Sequence, residues 1–254
     1  MTPLLPIDYD SIAEIYDLYV KADYDVPFFL SEIQGVKGPV LELMAGTGRL
    51  SFPLIEAGAE LTCVDGSQGM LDVLSKKLAQ RRLHAEVHCM DVCRMDLPSR
   101  FELAILPFQA FMEIVREEDQ KAALASVHAC LAPGGRFVCT LHNPAVRRAQ
   151  VDGGLRIVGR FPSGEDALVV SGFETGGHPV VSRLQSFELF GPDGFLRWKR
   201  LLPMEFAFVE RDSFERMARE AGFRVTKLYG SYDRAPFDPI RSPVMIWCLE
   251  KEGA

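Results

Sequence analysis

The 254-residue sequence has no run of about 20 uninterrupted apolar residues, the length that a membrane-spanning helix needs. Its first 24 residues contain acidic side chains and no basic segment ahead of an apolar one, so they do not resemble a secretory signal. Positive charge is also scarce, because the formal net charge is −7. Nucleic-acid binding requires clustered Lys and Arg to neutralise phosphates. We therefore expect neither a membrane nor a nucleic acid as partner.

Basic residues do gather locally in the second half of the sequence. They are Arg147, Arg148, Arg156, Arg160, Arg197, Lys199 and Arg200. Solvated strand edges and loops account for residues of this kind. A patch that binds RNA and a site for an anionic small substrate are the two alternatives.

Cysteines spaced for a disulfide framework or a zinc site are lacking as well. The six cysteines are Cys63, Cys89, Cys93, Cys130, Cys139 and Cys248. None forms a C-x-x-C pair, and four lie in apolar runs where a thiol behaves as a small hydrophobe. The histidines show no ligand spacing with acids or thiols. These patterns predict reduced thiols, a cytoplasmic location and no bound metal.

Short apolar runs alternate with helical patterns through the first part of the chain. The runs are 40–43, 61–64, 85–89, 103–106 and 137–141. Strands that are apolar throughout and alternate with helices are typical of a parallel sheet covered by helices on both faces. Ahead of them, a capping box at Ser11–Glu14 predicts a helix that continues to about Val20.

The pattern changes after Asn143. Four β-like runs follow, at 155–161, 167–174, 180–190 and 195–209, separated by turns rich in Gly and Pro. An Asp-Gly step in the last of these turns favours a hairpin. We therefore predict an antiparallel β insertion at residues 150–209, within an α/β domain made of residues 1–149 and 210–254.

The α/β alternation resumes after the insertion. Asp212 is predicted to cap a helix that stops at Gly222. Two last strands follow at 225–229 and 244–249, which brings the predicted main sheet to seven strands.

The first turn between a strand and a helix carries Glu42, Gly46 and Gly48. Glycines there let the backbone approach a ligand that lies over the carboxyl ends of the strands. Asp65 ends the next strand, where an acid can accept both hydroxyls of a ribose. A dinucleotide site would have a third glycine where this sequence has Ser51. S-adenosylmethionine has no pyrophosphate and makes no such demand, so it is favoured over a nicotinamide dinucleotide.

Several motifs in order resemble those of class I S-adenosylmethionine-dependent methyltransferases, in the branch that includes sugar-amine and related small-metabolite enzymes. These motifs lie at residues 40–50, 61–74, 88–92, 101–111 and 131–135. Residues 9–17 resemble the N-terminal helix that closes over the cofactor in that branch. The resemblance implies a doubly wound, Rossmann-like sheet with an antiparallel insertion after the fifth strand. It also implies transfer of a methyl group from S-adenosylmethionine, with S-adenosylhomocysteine as product.

The resemblance assigns roles to residues of these motifs. Glu42 would orient the amino-acid end of the cofactor, Asp65 would hold the ribose, and Asp91 with Val92 would bracket the adenine. The alternative for Asp91 is that it caps the next segment of the chain. The other expected cofactor contacts are Tyr9, Tyr16, Ala45, Gly46, Gly48, Gly66, Met70 and Leu106. Met44 departs from the family, which usually has glycine there, so we expect the backbone to be displaced. Its side chain either points into the core from the strand end or forms a wall of the cofactor site.

The methyl acceptor is expected at the carboxyl ends of the fourth and fifth strands. His142 ends the fifth strand and is the first candidate for a general base, with a structural histidine as the alternative. Glu113 is a second candidate, as a base, a counter-ion for an ammonium or a loop residue, and Tyr16 is a third. Aromatic residues of the insertion either line an acceptor pocket or form sheet core. They are Phe187, Phe190, Phe195, Trp198, Phe206 and Phe208.

The expected acceptor is a small molecule with a nitrogen or oxygen nucleophile. Methylation of RNA or protein is the alternative within enzymes. A non-catalytic scaffold that binds the cofactor and a nicotinamide-dependent oxidoreductase are the alternatives of other classes. The insertion is expected to act as a lid over the acceptor or as the contact of a homodimer.

Overall fold

The computed structural model describes residues 7–98, 100–176 and 178–252, which form two β-sheets. The strands are β1 (Val40–Leu43), β2 (Leu61–Asp65), β3 (Glu86–Cys89), β4 (Phe101–Leu106), β5 (Leu131–His142), β6 (Arg156–Ser163), β7 (Asp166–Gly176), β8 (Val180–Phe190), β9 (Leu196–Ala207), β10 (Phe223–Tyr229) and β11 (Val244–Lys251). The larger sheet has seven strands in the order β10-β11-β5-β4-β1-β2-β3. Six of these strands run in one direction, and β11 runs in the opposite direction, so it pairs antiparallel with both β10 and β5. The predicted seven-stranded, mostly parallel sheet is confirmed.

Helices cover both faces of this sheet. They are α1 (Ala13–Tyr19), α2 (Val26–Glu32), α3 (Ser51–Glu56), α4 (Gln68–Arg81), α5 (Glu117–Cys130), α6 (Pro144–Arg147) and α7 (Arg211–Glu220). Successive strand residues point to opposite faces, so Leu41 and Ala104 join one core cluster while Val40 and Leu103 join the other. Burial on both faces explains why the strands are apolar at every position. Among the described helices, none is long and apolar enough to cross a membrane.

The second sheet has four antiparallel strands in the order β6-β7-β8-β9, and it follows β5 in the chain as predicted. It packs against the N-terminal segment and α4, since Ile12 of that segment and Met70 of α4 share a buried cluster with Leu168, Phe187 and Leu202 of the insertion. The N-terminal segment is thereby enclosed between the insertion and the large sheet's helices. The division of the chain at residues 149/150 and 209/210 stays a prediction.

The capping box predicted at Ser11 and Glu14 is wrong. Asp8 supplies the cap instead, since its Oδ1 accepts from the backbone N–H of Ser11 at 3.3 Å, while the Ser11 hydroxyl donates to the Asp8 carbonyl. The first turn is a 3-10 helix at Tyr9–Ile12, and α1 begins only at Ala13 without a side-chain cap. Asp8 lies three residues before Ser11, the spacing at which an Asp side chain satisfies a helix donor.

The cap predicted at Asp212 is also wrong. Helix α7 begins at Arg211, and Glu210 holds the capping position with extended backbone and no side-chain hydrogen bond to the helix. Asp212 therefore lies inside the first turn, where its charge still complements the helix dipole. The stop at Gly222 fits the structure, because α7 ends at Glu220 and Gly222 has a φ of 90°.

Other local features differ from the sequence prediction. Helices α2 and α6 were not predicted; both carry a proline in their first turn, which suits a helix start because that N–H has no partner anyway. Helix α5 ends at Cys130 and Leu131 already pairs with Phe101, so the Pro-Gly-Gly sequence lies within β5.

Candidate active site

The turn after β1 combines a buried acid with a backbone that is open to a ligand. Glu42 is 1% exposed, and its Oε2 accepts from the Ser51 hydroxyl at 2.6 Å. Burial raises the pKa of Glu42 to about 7, although the Ser51 bond opposes that shift. Gly46 has a φ of 56°, and a Cβ added there would meet no atom within 4 Å. Gly48 has a φ of 88°, and a Cβ there would lie 2.4 Å from the Leu74 side chain, so this glycine is required by packing.

Met44 adopts the backbone conformation in which the family's glycine would ordinarily be found. Its φ is 54°, in the left-handed region that costs an L-residue roughly 1–2 kcal/mol. The side chain is half-buried against the larger core cluster. The turn therefore accommodates methionine by strain at one residue and by packing of its side chain.

Asp65 ties the first two motif turns together. Its Oδ2 accepts from the backbone N–H of Gly46 at 2.7 Å, and its Oδ1 accepts from the N–H of Ser67 at 2.8 Å. Burial raises the pKa of Asp65, while the hydrogen bonds from Ser67 and Gly46 act in the opposite direction. Gly66 is exposed, with no atom near a hypothetical Cβ. A half-buried carboxylate flanked by two open glycine positions fits an adenosyl ligand.

The N-terminal segment is bonded to both turns. Asp10 Oδ1 accepts from the Ser67 hydroxyl at 2.5 Å and from the backbone N–H of Gly69 at 2.7 Å. Asp17 Oδ1 accepts from the Thr47 hydroxyl at 2.6 Å. Two aspartates seven residues apart thus hold this segment over the cofactor turns. Sequence reasoning missed both, although their spacing places them on one side of a helical segment.

The remaining expected cofactor residues differ in what their side chains contact. Asp91 is exposed and caps the 3-10 helix Val92–Arg94, because its Oδ1 accepts from the Cys93 N–H at 2.9 Å. Ala45, Met70, Val92 and Leu106 are at most 7% exposed and pack in core clusters. The roles of these residues in cofactor binding stay predictions.

A cavity of about 530 Å³ lies between the N-terminal segment, the ends of β4 and β5, and the inner face of the insertion. Its lining includes Tyr9, Tyr16, Tyr19, Phe108, Gln109, Glu113, His142, Arg147, Val181, Arg183, Gln185, Met204 and Phe206. The three predicted catalytic residues, Tyr16, Glu113 and His142, are therefore brought together on one cavity. They come from three separate elements of the chain.

Glu113 is the acid of this cavity. It ends a 3-10 helix at Ala110–Glu113, which follows Phe108 and Gln109 with φ values of 57° and 59°. Its Oε1 accepts from the Tyr9 hydroxyl at 2.9 Å. Burial raises the pKa of Glu113 to about 7, despite the opposing effect of the Tyr9 bond. Near neutral pH the carboxyl is thus divided between its protonated and ionised forms.

His142 is half-buried at the end of β5. Burial lowers its pKa to about 4, and the positive charges of Arg147 and Arg183 act in the same direction. The imidazole is therefore neutral at pH 7 and a weak base. Burial and two guanidinium groups disfavour a positive charge there, which argues against His142 as a base, and its predicted role as a general base stays untested. Its use in hydrogen bonding to an acceptor stays a prediction.

Tyrosines form the wall opposite the strand ends. The rings of Tyr9 and Tyr16 are 6.2 Å apart edge to face, and those of Tyr16 and Tyr19 are 5.5 Å apart. Burial raises the pKa of Tyr16, so its phenol stays neutral at physiological pH. Tyr16 can donate a hydrogen bond, but it is not poised as a base.

The aromatic residues of the insertion divide between the two expected roles. Phe206 and Phe208 line the cavity. Phe187 is fully buried in the cluster beneath the N-terminal segment, whereas Phe195 is 74% exposed. Trp198 is partly buried against that same cluster. The set as a whole therefore neither lines the cavity nor forms one core cluster.

Among the described residues, no group of three or more His, Cys, Asp or Glu is arranged to hold a metal ion. Independence from metal stays a prediction. The residues around Gly46 and Asp65 fit an adenosyl ligand. Proteins with a doubly wound sheet of this kind bind such ligands over the carboxyl ends of their strands.

Comparison with known proteins identifies the family. A methyltransferase domain model matches residues 40–135. A cypemycin N-terminal methyltransferase from Streptomyces sp is 30% identical over 215 residues, which cover 84% of this chain and 83% of that protein. A glycine/sarcosine N-methyltransferase from Parasynechococcus marenigrum is 24% identical over 232 residues, covering 87% and 75%. The structure of the CcbJ methyltransferase from Streptomyces caelestis aligns with a TM-score of 0.80 at 22% identity, covering 98% and 100%.

The chain belongs to the S-adenosylmethionine-dependent methyltransferases. It is an enzyme of the class I fold, and S-adenosylmethionine is its methyl donor. The predicted recognition of this family is confirmed. The nicotinamide-dependent oxidoreductase is thereby set aside.

Proposed function

We propose that the enzyme methylates the nitrogen of a small amine that lies in the cavity beside Glu113. The observation that carries this proposal is the half-buried Glu113 carboxyl, which faces a cavity that several aromatic rings also line. A volume of about 530 Å³ lies within the range of roughly 300–1,000 Å³ that is typical of small-molecule sites. The names of the two sequence relatives, an N-terminal methyltransferase and a glycine/sarcosine N-methyltransferase, support a nitrogen acceptor.

An amine acceptor gains from a carboxylate near its nitrogen. Most amines are protonated at neutral pH, and an ammonium has no lone pair with which to attack. A carboxylate with a pKa near 7 attracts the ammonium and also accepts the proton that it loses. Tyr9, Tyr16 and Tyr19 add ring faces and hydroxyls, and an ammonium is attracted to the face of an aromatic ring.

The chemistry divides between the bound cofactor and this cavity. Bound S-adenosylmethionine supplies an electrophilic methyl group. The acceptor nitrogen forms a bond to that carbon as the carbon–sulfur bond breaks, and Glu113 takes the proton that leaves the nitrogen. Alignment of the acceptor supplies much of the acceleration, because well-oriented partners save roughly 7–11 kcal/mol. Tyr16 and the neutral His142 are suited to hold the acceptor by hydrogen bonds.

The test is a screen for methyl gain. Purified enzyme is incubated with S-adenosylmethionine and a panel of small primary and secondary amines, together with matched alcohols. Formation of S-adenosylhomocysteine with amines and not with alcohols is the expected result. Turnover of alcohols alone, or of RNA or protein substrates alone, would contradict the proposal.

A variant pair sharpens this test. Glu113→Gln keeps the shape of the side chain and removes the charge, so we expect a loss of roughly 10²–10⁴-fold in turnover. Glu118→Gln is the control, because Glu118 is exposed on α5 and contacts Arg116 outside the cavity. Both variants should bind S-adenosylhomocysteine as the wild type does.

The remaining predictions extend the same proposal. A cytoplasmic location, independence from metal and the absence of a nucleic-acid partner are proposed on the composition of the chain. A homodimer through the insertion is a further proposal, which sedimentation of the purified protein would test.

A further inference from the structure

We infer that the end of the cavity formed by Arg147 and Arg183 is a subsite for a carboxylate of the acceptor. This inference rests on the proposed function, since it takes the cavity as the acceptor site. The acceptor class that follows is a molecule carrying both an amine and a carboxylate, such as an amino acid or a peptide-like compound.

Both arginines line the cavity and share one acid. Arg147 Nη2 donates to Glu174 Oε1 at 2.6 Å, and Arg183 Nε donates to the same oxygen at 2.6 Å. Glu174 is 8% exposed and lies directly opposite Arg183 in the register of β7 and β8. Glu174 does not line the cavity, so it contacts the two guanidinium groups on their side away from the cavity.

The charges in this cluster do not balance. Two guanidinium groups meet one carboxylate, which leaves one positive charge at a half-buried place. Burial alone would raise the pKa of Glu174, but the bonds from Arg147 and the charge of Arg183 outweigh it and lower that pKa. The acid is therefore ionised at neutral pH and neutralises only one arginine. An unpaired charge away from bulk water is costly, and a ligand anion would relieve that cost.

In the part of the chain that the structure describes, both guanidinium groups have donors that no hydrogen bond uses. An arginine has five N–H donors. Within the described residues, the hydrogen bonds of Arg147 use Nη2 alone, and those of Arg183 use Nε and Nη2. Arg183 also lies over the Phe206 ring, with Cζ 5.1 Å from its centroid, which fixes the plane of the guanidinium. Oriented guanidinium groups with unused donors match the geometry of a carboxylate.

The cavity thus carries charges of both signs. Glu113, beside the tyrosines, supplies an acid, and Arg147 with Arg183 supplies two cations. The charge of Arg183 also acts to lower the pKa of Glu113, so the two signs lie within reach of one small molecule. His142 lies on the wall that they share, and both arginines lower its pKa, which indicates that their field reaches across this wall. A molecule with an ammonium at one end and a carboxylate at the other fits this order of charges. Contact of its carboxylate with the arginines then adds to the attraction between Glu113 and its nitrogen, and a simple amine lacks that second contact.

Matched acceptors test the inference. Glycine is compared with glycinamide, alanine with alaninamide, and sarcosine with its amide, at saturating S-adenosylmethionine. We expect the carboxylate member of each pair to have the higher kcat/KM. Arg183→Gln should raise KM for the carboxylates by roughly 10–100-fold, since a hydrogen bond to a charged group contributes an effect of that size. KM for the amides should change little.

Two further variants keep the test specific. Arg183→Lys retains the charge and loses the planar fork, so it should lie between the wild type and Arg183→Gln. Arg148→Gln is the matched control, because Arg148 is a neighbour of Arg147 that bonds Glu210 outside the cavity lining. Equal preference for acids and amides in the wild type would overturn the inference while leaving amine methylation intact.

A binding measurement separates the inference from the proposed function. Acetate and acetamide are titrated into the complex with S-adenosylhomocysteine, and the Nε–Hε signals of the arginines are followed by NMR. Acetate should shift the Arg147 and Arg183 signals to saturation, and acetamide should not. This result would stand even if no amine were methylated. No response to acetate, or a loss of S-adenosylhomocysteine affinity in Arg183→Gln as large as the effect on KM, would overturn the subsite.

Discussion

The site has a cofactor side, formed by the turns after β1 and β2, and an acceptor side, formed by the cavity around Glu113. Different features of the chain position the residues of the two sides. On the cofactor side, backbone geometry does most of the positioning: Gly46 and Gly48 have left-handed φ values, and Asp65 holds two backbone N–H groups. On the acceptor side, side chains of distant elements meet: Glu113 follows β4, and Arg183 projects from the insertion. The cofactor side depends on short sequence segments at the ends of β1 and β2. The acceptor side depends on residues that are far apart in the sequence and that only the folded chain brings together.

This difference accounts for what each side can vary. These turns tolerate few changes, since glycine supplies the left-handed backbone and the carboxylate of Asp65 accepts two backbone N–H groups. An antiparallel sheet presents alternate side chains on one face, so its inner face can change charge and shape without disturbing the fold. We infer that the insertion sets acceptor choice and the turns after β1 and β2 set the cofactor.

The largest expected effect is on the cofactor side. Asp65→Ala removes the contact proposed for ribose and also frees the N–H groups of Gly46 and Ser67. Two charge-assisted hydrogen bonds correspond to roughly 3–6 kcal/mol of cofactor affinity. Calorimetric titration with S-adenosylhomocysteine measures the loss, with Asp72→Ala on the exposed face of α4 as control. Wild-type affinity in Asp65→Ala would remove Asp65 from the cofactor site.

The next effect concerns the stability of the acceptor side. Phe187 is fully buried between the insertion and the N-terminal segment. Phe187→Ala should lower the free energy of unfolding by roughly 3–5 kcal/mol, because it leaves a cavity in that cluster. Phe195→Ala is the matched control, because Phe195 is 74% exposed in the same insertion. Substitutions at such surface positions change the free energy of unfolding by at most about 0.5 kcal/mol. Equal denaturation midpoints for the two variants would show that the insertion contributes no shared core.

The smallest expected effect is at His142. A neutral imidazole that only orients the acceptor contributes roughly one hydrogen bond of 0.5–1.5 kcal/mol. His142→Asn should therefore reduce kcat/KM by less than about tenfold and leave affinity for S-adenosylhomocysteine unchanged. Steady-state rates with an identified acceptor measure this. A loss of roughly a hundredfold or more would restore His142 as a proton-transfer residue and weaken the case for Glu113.

The sequence predicted the large sheet and the family better than the acceptor side. Strand and helix alternation predicted the sheet, and several motifs in order predicted the family, because both signals are local in the chain. The roles of Gly46, Gly48 and Asp65 in cofactor binding stay predictions. The strain at Met44 could be suspected from the missing glycine, but its left-handed φ could not be read from the sequence. The local caps at Ser11 and Asp212 were wrong, since several polar residues compete for one helix start.

The acceptor side was predicted only in part. Glu113 and His142 were candidates because they follow strand ends, yet their pKa values depend on burial and on charges elsewhere in the chain. The cluster of Arg147, Glu174 and Arg183 has no sequence signal, because its members meet through the register of β7 and β8 and through α6. The basic residues near Arg147 were compatible with an anionic substrate, but only the fold brings Arg147 and Arg183 to one cavity.

The most direct test of the account is the pH dependence of kcat/KM for an amine acceptor. A base must be ionised to accept a proton, so activity should fall by tenfold per pH unit as the pH drops below the pKa of Glu113, which is about 7. Glu113→Gln should abolish this limb and lower the plateau, while any limb that arises from the acceptor amine itself remains. An unchanged limb near pH 7 in Glu113→Gln, with wild-type turnover, would contradict the assignment of Glu113.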